Sequence, residues 1–268
     1  MSKKVLTISV AAYNDEKYIS NVIESLIVPE INDIEILIND DGGKDNTKEI
    51  VEKYIKRYPD SIKFIHKNNG GYGTVLMKNI EVASGKYFKQ LDGDDLFNKE
   101  GLSNLIKLIK ENSDVDVFYT PYVNCYVNSK NCNKIIDRFD KLKTGKYKIN
   151  EIINKYFNMH SLCFKLEILK KANMKLPEKC LYTDTIYCVE PFKYIKNIYI
   201  SHFPVYLYSI GINGQSMEEN SMKKHWKDHE KVVNNLIEFY SEVDNKNNAK
   251  QYLKSYIATV AGYSIIRF

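Results

Sequence analysis

The 268-residue sequence has no apolar run of about eighteen residues or more, so a membrane-spanning helix is not expected. Cysteine is sparse and shows no pattern. The five residues, at 125, 132, 163, 180 and 188, include no Cys-x-x-Cys spacing, and their number is odd. That set excludes a disulfide framework and fits free thiols in a reducing compartment. No long basic block accompanies the net charge of +5, so nucleic acid is not implied. The glycine-rich stretch Asn68–Gly73 lacks the spacing of a P-loop, and no G-x-G-x-x-G follows the first apolar segment. No His-Glu-x-x-His is present; His225 and His229 share a helix face without the further ligands a zinc site needs. The opening Met1-Ser2-Lys3-Lys4 leads into a short apolar segment broken at Tyr13–Glu16, which reads as a strand and not a signal peptide. A cytoplasmic protein is expected.

What is present is a globular composition, 44% hydrophobic and 27% charged, with a regular alternation of patterns. Residues 5–11, 34–38, 61–66, 86–91 and 115–120 read as strands. Between them lie helical patterns at 16–27, from 45 or 46, at 74–83 and at 98–112. Strands alternating with helices predict an α/β sandwich with a mostly parallel sheet. In such sheets ligands sit beyond the carboxyl ends of the strands. Three of these ends are polar: Ala12-Tyr13-Asn14, Asp40-Asp41, and Asp92-Gly93-Asp94-Asp95.

The last cluster packs three carboxylates around one glycine. Mg²⁺ and Mn²⁺ take carboxylate oxygens, and Mg²⁺ commonly shares them with substrate phosphates. Asp and Gly are also ordinary turn residues, and Asn14, Asp15 and Asp45 are ordinary helix caps. The glycine-rich stretch reads as a loop into the next helix, whose N-terminus could help hold an anion.

Residues 4–120 resemble the family 2 glycosyltransferases. The resemblance rests on Val10-Ala11-Ala12-Tyr13-Asn14 with Glu16 and Ile19, on Ile38-Asn39-Asp40-Asp41-Gly42-Gly43-Lys44-Asp45, and on Asn69-Gly70 through Lys78-Asn79. Ala83-Ser84-Gly85-Lys86-Tyr87 and Leu91-Asp92-Gly93-Asp94-Asp95 complete it. It departs where the family usually has proline, at Ala11 or Ala12, and serine, at Gly43. The resemblance implies a GT-A type, Rossmann-like α/β/α sandwich. It implies that Ala12, Tyr13, Asn14, Glu16, Asp40, Asp41, Lys78, Asp92 and Gly93 hold the nucleotide sugar. Asp92, Asp94 and Asp95 then hold Mn²⁺ or Mg²⁺ on the diphosphate, with Asp94 the first choice.

In the second half, Tyr122–Val127 and Lys134–Phe139 suggest a hairpin around Asn128–Asn131. A helix is expected over 150–157, a strand over 159–165, and one helix after Asp184 carrying Ile186, Val189, Phe192 and Ile195. Strands at 197–202 and 205–210 precede C-terminal helices. The resemblance makes Asp184 the catalytic base, with Thr183 where the family usually has Glu, and it offers His202 or His225 as an additional metal ligand. A carboxylate beside an acceptor hydroxyl suits general-base work.

The chain is thus expected to divide into a catalytic domain at 1–216 and a helical extension at 217–268. The catalytic domain would itself comprise a nucleotide-sugar half (1–120) and an acceptor half (121–216). The resemblance implies an inverting, metal-dependent transfer of one sugar from a nucleotide-diphosphate donor, a UDP-sugar first, to a saccharide or lipid-linked glycan. The Gln-x-x-Arg-Trp motif of processive synthases is absent, which favours single addition. Lys223, Lys224, Lys227 and Lys231 would suit peripheral contact at the inner membrane face. The final helix ends at Phe268 with no polar tail, as a cut chain or a docking helix would. The rival readings are a nucleotidyltransferase and a non-catalytic nucleotide-sugar or glycan-binding module.

Overall fold

The computed structural model describes residues 4–127, 133–152, 156–212, 215 and 219–267. The hairpin tip expected at 128–131, part of the helix expected over 150–157, and the division at 216/217 lie outside the described residues. The first four strands are β1 (Leu6–Ala12), β2 (Ile34–Asp40), β3 (Ile62–His66) and β4 (Tyr87–Asp92). All four run parallel, in the order β3-β2-β1-β4. Continuous apolar runs make them: every residue of β2 is buried, as a parallel strand covered on both faces requires. The sheet continues through β10 (Leu162–Lys165), β6 (Val117–Tyr119), β11 (Asn197–Ile200) and β9 (Gly145–Lys148). A smaller sheet joins β5 (Leu96–Phe97), β12 (Tyr206–Ile210), β7 (Tyr122–Tyr126) and β8 (Lys134–Ile136). The expected hairpin is the antiparallel pair β7 and β8.

Helices cover both faces of the large sheet. α1 (Ile19–Leu26), α2 (Thr47–Arg57) and α4 (Lys99–Glu111) pack on one side around Val22, Leu26, Val51, Leu105 and Ile106. In α1 the buried residues Ile19, Val22, Ile23 and Leu26 repeat at helical spacing, and Asn98 caps α4 by accepting from Gly101 N at 2.8 Å. The other side holds α3 (Tyr72–Val82), α5 (Leu166–Ala172), α6 (Asp184–Val189), α8 (Trp226–Glu242) and α9 (Lys250–Arg267), with the short α7 (Glu219–Lys224) leading into α8. Val232, Leu236, Tyr252 and Leu253 seat α8 and α9 on the same core as Phe88, Phe164 and Phe192. No helix among the described residues is long and apolar enough to cross a membrane.

Several local expectations give way to tertiary context. The helix expected after Asp184 breaks after Val189 into a 3-10 segment, Glu190–Tyr194, because Pro191 cannot supply the next helical N–H. The strand expected from 159 begins at Leu162; Met159–Ser161 is a single 3-10 turn. Over 150–157 the described residues show a 3-10 turn at Ile149–Glu151 and no α-helix.

Glu190 is 7% exposed, and burial pushes its carboxyl up to about 7, with Lys193 only partly offsetting it. Its pKa is therefore higher folded than unfolded. The folded state keeps this proton between the two values while the unfolded chain has lost it, so stability falls as pH rises toward 7. Glu190→Gln should remove that loss. Melting temperatures measured from pH 5 to 8 should fall for the wild type and fall less for the variant. Parallel curves would show that Glu190 is not held protonated.

Candidate active site

Strand register brings the polar ends together. Ala11 pairs with Asp92, and Ala12 pairs with Asp40. β1 has β2 on one side and β4 on the other, so the crevice opens where the strand order reverses. A cavity of about 800 Å³ lies there. Ala12, Tyr13, Asp41, Asp92, Gly93, Asp94 and Asp184 line it, together with Asp15, Tyr72, Arg138, His160, Tyr182 and Tyr256.

The remaining residues expected at the site lie outside this lining. Asn14, at φ 56°, accepts from Lys44 N at 2.8 Å, and Glu16 accepts from Asn46 N and Nδ2 at 3.1 and 2.8 Å. Asp40 is 3% exposed, accepts from Gly43 N at 3.1 Å and faces His66 Nδ1 at 2.8 Å. These residues hold the loop after β2 against the loop after β1. Lys78 sits on the outside of α3, paired with Glu81 at 3.0 Å. Asp95 is fully buried, with Oδ2 accepting from the Tyr206 hydroxyl at 2.6 Å and Oδ1 from Ser209 N at 2.7 Å.

The glycine-rich stretch forms the loop into α3, as expected, and its N–H groups at the helix entry bind within the chain. Gly70 N and Gly71 N donate to the Asp41 carboxylate at 2.9 and 2.7 Å, so those N–H groups are already taken. Lys67 Nζ pairs with the same carboxylate. Gly71 has φ +86°, and a Cβ there would lie 3.0 Å from Lys179 N. Lys179 N in turn donates to Gly70 O at 2.7 Å. The glycines are thus the seat for the loop that delivers Asp184. Tyr182, at φ 63°, holds a conformation rare for an aromatic residue two positions before Asp184.

Electrostatically the crevice is strained. Burial pushes Asp92 up to about 7, with Asp94 beside it adding to the shift. Burial also raises Asp15 to about 7, against a 2.9 Å bond from Tyr13 N, and the Asp94 charge contributes. Asp94 is raised by burial, and Asp95 lies well above the carboxylate range from burial and the Asp92 charge. Burial raises Asp184, which the N–H groups at the start of α6 hold down in part. Gly93 is required here: a Cβ would stand 2.1 Å from Asp15 Oδ2 and 2.7 Å from Ala11 O.

His160 is the residue the sequence reading missed. β10 runs antiparallel to β4, so the turn before β10 arrives at the end of β4. Asp92, Asp95 and His160 each offer a ligand atom within 4.8 Å of the others. Tyr206, Tyr208 and Tyr122 surround the imidazole, at centroid distances of 4.6, 4.6 and 5.0 Å. Burial, with the Lys89 charge nearby, lowers its pKa to about 3, so it is neutral. Asp92 Oδ1 and His160 Nδ1 are buried with no hydrogen-bond partner. An unpaired carboxylate oxygen and a neutral imidazole nitrogen are the donor set a divalent cation takes. The residues therefore fit such an ion. The histidines considered from sequence are engaged elsewhere: His202 Nδ1 faces Asp137 at 2.6 Å, and His225 Nδ1 faces Asp228 at 3.1 Å. His229 lines the cavity beside the Tyr182 ring. Asp15 was legible only as a helix cap. No pattern in the sequence marks His160, because strand pairing alone brings it to Asp92.

Comparison with known proteins agrees with this architecture. The family model described as Glycosyl transferase family 2 matches residues 7–172. An uncharacterized glycosyltransferase of Mycoplasma genitalium is 28% identical over 208 residues, 73% of this chain and 66% of that protein. Alignments with it and two Mycoplasma pneumoniae relatives span 60–66% of the relatives' own lengths. Among solved structures, S. aureus TarS 1-349 in complex with UDP aligns with TM-score 0.70 at 18% identity, over 98% of this chain and 72% of that one. The mannosyltransferase PcManGT from Pyrobaculum calidifontis, in complex with GDP-Man and Mn²⁺, aligns with TM-score 0.66 at 14% identity, over 99% and 75%. These two likenesses establish the fold.

Tyr206→Phe removes one of two donors from the buried Asp95. It should cost about 2 kcal/mol in urea unfolding, within the range for leaving a buried acceptor without its donor. Unchanged stability would mean that the Asp95 carboxyl does not depend on this bond.

Proposed function

The chain belongs to glycosyl transferase family 2, and from that premise we propose that it transfers one sugar, with inversion, from a nucleotide-diphosphate donor to an acceptor hydroxyl. The observation that carries the proposal is the meeting, in one cavity, of Asp92, Asp94 and His160 with Asp184, which comes from a separate loop. A UDP-sugar is the first candidate donor, since the TarS structure above holds UDP. A saccharide or lipid-linked glycan is the candidate acceptor. Family membership weighs against the nucleotidyltransferase reading.

Asp92, Asp95 and His160 would hold a divalent cation, with Asp95 steadied by Tyr206 and Ser209 and Asp94 in the cavity wall beside them. Mn²⁺ suits this nitrogen-and-oxygen set better than Mg²⁺, which prefers all-oxygen octahedra. When bound, the cation would act as a Lewis acid toward the charge that grows on the leaving diphosphate. Tyr13, Asp41 and Asn69 line the part of the cavity nearest the ends of β1 and β2 and are the contacts proposed for the nucleoside. Asp184 would take the proton from the acceptor hydroxyl as that oxygen attacks the anomeric carbon. Its raised pKa, caused by burial, makes its carboxylate a stronger base than an exposed aspartate.

We divide the chain at residue 216, with 217–268 as a helical cap that supplies Tyr256, Thr259 and Val260 to the cavity wall. The exposed Lys223, Lys224, Lys227 and Lys231, beside a Trp226 that is 45% exposed, support contact with an anionic membrane surface.

Asp184→Asn should keep UDP affinity, measured by calorimetry with Mn²⁺, and lower sugar transfer by on the order of 100-fold or more. Transfer at the wild-type rate would remove Asp184 as the base. UDP should raise the melting temperature with Mn²⁺ present and far less after chelation. Equal stabilisation without metal would contradict the cation's role.

A further inference from the structure

Five carboxylates line the cavity, and Arg138 is the one Lys or Arg among its described lining residues. Arginine is rare in this lysine-rich chain, occurring at positions 57, 138 and 267. Arg138 follows β8 and also lines a second groove of about 330 Å³, together with Lys134 and Tyr156. It therefore stands where the cavity meets a path outward.

Its neighbours fix the guanidinium without neutralising it. The guanidinium carbon lies 3.8 Å from the centroid of the Tyr156 ring. One terminal nitrogen reaches Asn158 Oδ1 at 3.4 Å, a long bond, and the backbone N–H donates to the Tyr119 hydroxyl at 2.7 Å. Arg138 Nε is buried with no hydrogen-bond partner. The adjacent Asp137 is committed elsewhere, to Phe139 N, the Tyr119 hydroxyl and His202. Among the described residues no carboxylate forms an ion pair with Arg138. A planar guanidinium held on an aromatic face, with Nε–H unsatisfied, has donor capacity left for a ligand. A cation half-removed from water without a counter-charge gains most from a ligand that brings one.

Two tyrosines, Tyr122 and Tyr256, relate it to both halves of the site. The Tyr122 ring packs on His160, and the Tyr122 hydroxyl accepts from Asn158 Nδ2 at 3.2 Å, so an aromatic layer lies between His160 and Arg138. Tyr256 of α9 is within electrostatic reach of both Asp184 and Arg138.

We propose that Arg138, stacked on Tyr156 at the mouth of the cavity, forms a subsite for a phosphoryl group carried by the acceptor. This rests on the transferase reading above and specifies its acceptor as an anionic, phosphate-bearing alcohol. Lysine at this position would keep the charge and lose the planar guanidinium.

The probe is sn-glycerol 3-phosphate, with glycerol as the neutral control. Each is titrated calorimetrically into the full chain, with and without UDP and Mn²⁺. Saturable binding of the phosphate is expected for the wild type, weakened at least ten-fold in Arg138→Ala and by less in Arg138→Lys, with UDP affinity unchanged in both. Glycerol should not saturate. Equal phosphate binding by the wild type and both variants would overturn the subsite, as would no binding by the wild type. A ten-fold loss of UDP affinity in a folded variant would place Arg138 on the donor and overturn it too. If Arg138→Ala does not fold, Arg138→Lys carries the comparison. Failure of the wild type to bind UDP would count against the transferase reading alone, because the titration without UDP still reports on Arg138.

Discussion

One buried carboxylate joins the two sheets. Asp95, at the turn after β4, accepts from the Tyr206 hydroxyl and from Ser209 N, both on β12 of the smaller sheet. Tyr206 also donates no less to the order of the site by packing its ring on His160, and the same hydroxyl accepts from Asp92 N at 3.2 Å. Without that tie, the Asp92–Asp94 turn and the imidazole would have no common reference. Lys89 adds a second tie from below. Its buried ammonium, lowered to about 8 by desolvation, donates to His160 O at 2.8 Å and Leu162 O at 3.3 Å. The turn that carries His160 is thereby fastened to the strand that carries Asp92.

These ties hold groups that repel one another. Asp15, Asp92, Asp94 and Asp95 all have carboxyls raised by burial, and unlike the Asp95 oxygens, Asp92 Oδ1 has no donor. A core of this size could have covered the position with apolar side chains at lower cost. Keeping several carboxylates there is costly unless a cation offsets them, which is how a binding site differs from an acidic turn. The surrounding scaffold supplies the stability that permits it: parallel strands buried on both faces, and an aromatic core in which Phe157 and Phe192 stack at 5.1 Å beneath α9.

Much of this was legible in the residues. The alternation through Tyr119 gave its strands because continuous apolar runs with polar ends have few other uses. The polar ends of β1, β2 and β4 converge as parallel pairing requires. The helix after Asp184 was misjudged in length because its apolar spacing continues through Phe192, while Pro191 interrupts the hydrogen bonding. The glycines at 70, 71 and 73 read as a loop into the next helix, and only the fold shows Asp41 accepting from that loop and Lys179 resting on it. His160 and Arg138 were illegible for a common reason. Each sits beside a strand and not in one, and each acquires its neighbours from strand pairings that no local pattern encodes.

The central claim is that the end of β4 and the turn before β10 form one cation site, with His160 supplying a nitrogen. Electron spin-echo modulation of the protein loaded with Mn²⁺ and UDP tests it most directly. The account predicts ¹⁴N modulation from a coordinated imidazole in the wild type and its loss in His160→Gln. Bound Mn²⁺ without that modulation in the wild type would contradict it.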